Sequence, residues 1–156
     1  MTRQFLRHTL ATLAYRGGKV IRDAPAGFSD FASGPAARTP GQILSHIGDL
    51  LDWALGLATG EHIWRATQPQ SWDDDVARFH SCLAAFDTYL ASEAPLGFPA
   101  ELLFQGPVAD ALTHVGQIAI LRRLAGCPVK AENYFKAHIT AGRVGPDQAA
   151  PQREFE

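Results

Sequence analysis

Val76, Phe79, Leu83, Phe86 and Leu90 recur at intervals of three and four, the strictest such repeat in the chain. That spacing places all five on one face of an α-helix, and an apolar helical face must be buried against something. Ser71 stands where an N-cap belongs. Asp73, Asp74 and Asp75 fill the first turn, where negative charge complements the helix dipole. What it packs against is also helical by composition. The sequence holds 25 Ala and 16 Leu against 6 Val and 7 Ile, and Ala and Leu favour helix where Val and Ile favour strand. The chain reads as all-α.

Three further helices follow from the same periodicity. The first spans about Thr2 to Asp23, with Leu6, Leu10, Leu13, Gly17 and Val20 on one face and Pro25 as its stop. Gly17-Gly18 predicts a kink or a close helix–helix approach. The second has the clearest start in the chain. Thr39-Pro40-Gly41-Gln42 combines a capping hydroxyl, proline at the first helical position and Gln at the third. Ile43, Ile47, Leu50, Leu51, Ala54 and Leu57 form its inner face, and Gly60 ends it. The fourth runs from near Pro107 to Ala125, stopped by Gly126 and Pro128. A short helical turn is expected at Glu101–Phe104, and a short C-terminal helix at AENYFKAHI, residues 131–139.

The expected architecture is a four-helix bundle with a long crossover loop and a short C-terminal helix. Residues 24–38 are rich in Ala, Gly, Ser and Pro and read as that loop, pinned by Phe28 and Phe31. Residues 1–141 form one domain. The stretch 142–156 has little apolar matter and reads as an extended or mobile tail.

At 156 residues the chain can bury a core without disulfides. Its net charge of −2 offers no basic face for nucleic acid and no polybasic patch for a membrane surface. No apolar run reaches the roughly 18 residues of a membrane span, and the first residues lack the apolar core of a signal peptide. Cys82 and Cys127 form no CxxC pair, so a reducing cytoplasm is the expected compartment. Neither sits in a Cys–His or Ser–His–Asp pattern, and both read as incidental thiols.

Few residues remain that can do chemistry. Asp110 and His114 are four apart on the fourth helix, one turn apart on one face, and Gln117 extends the line. On the second helix His46 shares a face with Leu50, Trp53 and Leu57. Two imidazoles and one carboxylate from neighbouring helices make a three-ligand open metal site, with a position left for water or substrate. Each residue also has a plainer reading. A histidine on a half-apolar face is commonly a core residue bonded to a carbonyl, and Asp110 in the first turn after Pro107 is favoured by the dipole alone. Asp49, three residues after His46, suits either the support of an imidazole or a solvated role. Trp53 suits packing or the lining of a pocket. His80 reads as a surface residue, His8 and His62 have no evident partner, His138 in the short last helix is either unpartnered or within reach of the open end of the site, and Trp64 and Trp72 read as packing residues.

The stretch Ile43–Trp53, with its I-x-x-H-I-x-D-x-x-x-W pattern, resembles the second helix of the DinB-like (DinB/YfiT) superfamily. Asp110–Gly126, DALTHVGQIAILRRLAG, resembles its fourth. The likeness spans the chain except the tail. It implies a left-handed bundle with a long crossover, often dimeric, and a divalent metal held by His46, Asp110 and His114. Many relatives carry His at the place of Asp110, while some thiol-dependent members carry a carboxylate there. An oxygen ligand leaves Zn, Ni, Mn and Fe all open.

Two functions are therefore expected in competition. One is a metal-dependent enzyme of the transferase or hydrolase class, working on a small molecule, with a low-molecular-weight thiol as a candidate partner. The other is a non-catalytic helical module for homodimerisation or binding, with no metal.

Overall fold

The computed structural model describes residues 1–155. Four long helices dominate: α1 (Arg3–Ile21), α2 (Pro40–Thr59), α3 (Trp72–Ala91) and, after the short α4 (Ala100–Leu103), α5 (Ala109–Leu124). The all-α class expected from composition is present. The long helices pack as a ring in the order α1, α3, α2, α5, so α1 lies diagonal to α2, and α3 diagonal to α5. Residues 22–39 therefore cross the end of the array to join two diagonal helices. Phe28 pins this crossover, being buried and packed edge to face on Trp72 with ring centroids 5.5 Å apart. Phe31 is half-buried against the core.

The helix boundaries follow their capping chemistry. Gln42 N–H donates to Thr39 Oγ1 at 3.3 Å, and Thr39 N–H donates to Gln42 Oε1 at 2.9 Å, closing the capping box that starts α2. Gly60 ends α2 at φ 97°, a conformation that costs a side-chain-bearing residue. Ser71 caps α3 through Asp74 N–H at 3.1 Å. Of the three aspartates in that turn, Asp75 does not face solvent. It is buried and accepts from Gln70 N–H at 3.0 Å, closing the connection that precedes the helix.

One core joins the four helices. Leu6, Leu10 and Leu13 of α1, Ile47 and Leu51 of α2, Phe79, Leu83 and Phe86 of α3, and Ile118 of α5 are fully buried. Val76, at the end of the α3 stripe, is only partly buried against this core. Gly17 marks a close approach, as its sequence context suggested. A Cβ there would lie 2.6 Å from Cζ of Phe79, so α1 and α3 can meet at that level only around a residue without a side chain.

Two expectations are corrected. The fourth helix does not begin at Pro107. Helical backbone starts at Ala100 and passes through a π-helical turn at Phe104–Val108, with Pro107 inside it, into α5. Proline lacks an N–H and its ring obstructs regular helix, and the wider π turn accommodates it without a break. The short C-terminal helix is likewise absent. Ala131–Glu132 form a strand, β1, that pairs antiparallel with β2 (Glu154–Phe155), followed by a single 3-10 turn at Tyr134–Lys136.

The reason for the second change is a side-chain demand. Glu132 is buried and takes Lys19 Nζ at 2.7 Å and the Tyr15 hydroxyl at 2.7 Å. Lys19 also reaches Glu154 at 2.8 Å, so one buried ammonium of α1 holds both strands. Burial would lower the Lys19 pKa, but its two carboxylate partners raise it above the ordinary value and keep it charged. Between the strands, Val144 is buried and its carbonyl meets His80 Nδ1 at 3.2 Å. His80 is thus half-buried under the C-terminal segment rather than on the surface. Among the described residues, no helix is long and apolar enough to cross a membrane.

Candidate metal centre

α2 and α5 are neighbours, and their facing edges bring together His46, Asp110 and His114. Each offers one ligand atom, and the three atoms lie within 4.8 Å of one another. His114 Nε2 is 3.4 Å from Asp110 Oδ1, and His46 Nε2 is 4.0 Å from Asp110 Oδ2. The two imidazoles meet nearly at right angles, with centroids 4.8 Å apart. Ligand atoms about 2.1 Å from one tetrahedral ion sit roughly 3.4 Å from each other. The His114–Asp110 edge already has that length, and the His46–Asp110 edge is 4.0 Å.

The placement follows from the helical faces. On α5, Ala111, Val115 and Ile118 are buried, so His114 is drawn in with them and Asp110 is left at the rim. On α2, Ile43, Ile47 and Leu50 face the core, so His46 lies at the edge of that face, beside α5. Because α5 continues a helix already begun at Ala100, Asp110 is not at a free helix start. The dipole explanation for an acid there therefore falls away. Neither is His114 a core histidine tied to a main-chain carbonyl, since its Nδ1 meets the side-chain oxygen Oε1 of Gln117 at 2.8 Å.

That bond sets the chemistry of the site. Against an amide oxygen Nδ1 is the donor, so in the neutral ring Nε2 carries the lone pair, on the side of the Asp110 carboxylate. Burial, then the neighbouring His114 and Arg38, lowers the His46 pKa below its ordinary value, against the opposing pull of Asp110 and Asp49. A neutral imidazole is the form that ligates metal.

The supporting residues divide. Gln117 stands beside the trio. Asp49 is buried but turned away from His46: Arg78 Nη2 donates to its Oδ1 at 2.8 Å, and Thr67 N–H donates to its Oδ2 at 3.1 Å. Its position anchors the connection 60–71. That connection carries Trp64, whose ring meets His46 edge to face at 5.6 Å and Trp53 at 5.7 Å. Trp53 in turn stacks on His62 at 5.7 Å. His138 is exposed and lies outside the trio. Cys82 is buried and donates to Asp52 Oδ1 at 3.1 Å, and burial followed by that carboxylate pushes its pKa up to about 12.

Two residues near the trio were not expected there: Trp64, read from the sequence as a packing residue, and Arg38. Trp64 lies in the irregular segment 61–71, where no periodicity assigns a face. Arg38 closes the crossover and helps line a cavity of about 440 Å³ beside the trio, together with His114, Gln117, Ile120, Leu121 and Leu124. No protein-family profile, curated protein or solved structure matches the chain.

Proposed function

We propose that the protein is a metal-dependent enzyme of DinB-like type that acts on a small molecule, in a transferase or hydrolase reaction, with His46, Asp110 and His114 holding one divalent ion. The observation that carries this reading is the convergence of the three ligand atoms within 4.8 Å, with Gln117 fixing the His114 tautomer that leaves Nε2 free. The resemblance of Ile43–Trp53 and Asp110–Gly126 to the superfamily supports the same ligand set. An N,N,O donor set suits Zn, Ni, Mn or Fe.

Three protein ligands leave coordination open on the solvent side, where Asp110 is half exposed. The chemistry a divalent metal supplies in such a site is Lewis acidity: activation of a thiol or of water, or polarisation of a carbonyl. The chain's own residues do the rest. Gln117 holds the His114 ring in place. The Trp64 ring packs edge to face on His46, and Trp53 backs Trp64. A low-molecular-weight thiol as co-substrate, a homodimer and a cytoplasmic setting belong to the same proposal.

The test is elemental analysis of protein purified without a metal-affinity tag. Stoichiometric metal in the wild type, lost in His46→Ala and His114→Ala, supports the reading. Absence of metal from wild-type protein reconstituted with each of the four ions overturns it. A chelator that lowers the melting temperature of the loaded wild type, but not of His46→Ala, gives a second readout, because a ligand bound only to the native state stabilises it.

A further inference from the structure

The cavity beside the trio has walls of one character. Ile43, Ile120, Leu121 and Leu124 make them apolar, and His114 and Gln117 form the side next to the metal ligands. No carboxylate lines it among the described residues, and Arg38 is its single permanently charged group. A second cavity, of about 470 Å³, runs the opposite way. It is lined by Asp49, Asp52 and Glu61 as well as Arg65.

Arg38 has no ion-pair partner among the described residues. Arg38 is exposed and shares this with Arg16, Arg22, Arg123 and Arg153, but it alone of these lines the cavity beside the trio. Ile120 and Leu124 are 59% and 61% exposed, an unusual arrangement for two large apolar side chains on one helical face unless something covers them. A volume of this size is that of a small-molecule pocket.

We propose that this cavity takes a small organic carboxylate. The Arg38 guanidinium receives the carboxylate as a planar fork. Ile120, Leu121 and Leu124 cover the hydrocarbon body, with His114 and Gln117 on the side of the metal ligands. The assignment of this molecule as substrate rests on the metal reading, because only then is His114 part of a reactive centre. The binding itself does not. An amine of the same shape meets Arg38 with like charge and is rejected, so the pocket selects by charge as well as by size.

The experiment titrates full-length, tag-free protein with hexanoate, octanoate and decanoate, and with octylamine as the like-shaped cation. Calorimetry gives the readout. Saturable binding of the carboxylates without binding of octylamine is expected, and Arg38→Gln weakens it about tenfold. Arg38→Gln leaves metal content unchanged, since Arg38 is not a ligand. Ile120→Glu also weakens octanoate, by placing a like charge in the wall.

Octylamine binding as well as octanoate, no saturable binding of any carboxylate, or an unchanged affinity in Arg38→Gln each overturns the proposal. The two readings fail separately. Arg38-dependent octanoate binding in a protein that takes up no metal leaves the pocket and removes the metal centre. Stoichiometric metal without Arg38-dependent binding does the reverse.

Discussion

His114 Nδ1 donates to Gln117 Oε1 across 2.8 Å, one turn further along the same helix. The bond fixes both the ring plane and the tautomer of a residue whose other nitrogen faces Asp110. Gln117→Leu keeps the volume and removes the acceptor. Metal affinity is then expected to fall by about 10- to 100-fold, while the fold is retained. Competition against a chromogenic chelator measures the first, and far-ultraviolet circular dichroism the second. An unchanged affinity means that Gln117 does not orient the ligand.

Asp49 separates a structural carboxylate from a ligand. Its two oxygens are taken by Arg78 and by the Thr67 amide, and through Thr67 it holds the connection that carries Trp64. Asp49→Ala leaves the half-buried Arg78 guanidinium with one partner fewer and frees that connection. A loss of about 2–3 kcal/mol is expected in urea unfolding. Metal content is expected to stay at the wild-type level, because no ligand is removed. Loss of metal without loss of stability would place Asp49 in the centre after all.

Lys19 is the buried charge on which the C-terminal strands depend. Lys19→Met leaves Glu132 buried and unpaired, at a cost of about 3–5 kcal/mol. Trypsin, which cuts after the Arg143 and Arg153 of the C-terminal segment, reports the release of that segment as faster cleavage. Adding Glu132→Leu to Lys19→Met restores much of the stability, since the pair is then replaced by apolar volume.

Cys82 gives the protein an alkaline weakness. Its ordinary value of 9.0 is raised to about 12 in the fold, by burial first and then by Asp52. Between those values the unfolded chain loses a proton that the folded chain keeps. The contribution of Cys82 is therefore complete below pH 9 and is lost as pH rises toward 12, with a slope of up to about 1.4 kcal/mol per pH unit. Cys82→Ala flattens that part of the stability profile. The same burial makes Cys82 slow toward iodoacetamide in the native state, with Cys127 as the faster site. Mass spectrometry of the labelled peptides shows the order.

Much of this was legible in the residues themselves. Strong local signals specify local structure: the Thr39–Gln42 box, the Gly60 stop and the stripe of α3 are all where their chemistry places them. His46, Asp110 and His114 could be named because helical spacing fixes which residues share a face, and two such faces that must be buried meet. The failures share a different origin. Residues 131–139 carry helix formers, but the burial of Glu132 against Lys19 and Tyr15 outweighs that propensity. The start of α5 was hidden because Pro107 reads as a boundary, and only the wider π turn lets the helix pass through it. Arg38 and Trp64 lie in irregular segments, whose neighbours are decided by the whole fold and not by spacing.

The crossover from α1 to the diagonal α2 and the later passage from α3 to the diagonal α5 mean that His46 and His114 become neighbours only after the chain has traversed the array twice. Partly folded intermediates that lack α5 present one imidazole without its counterpart. If the trio holds an ion as proposed, its uptake would report completed topology, and a stopped-flow signal from that uptake would time the last docking event instead of early collapse.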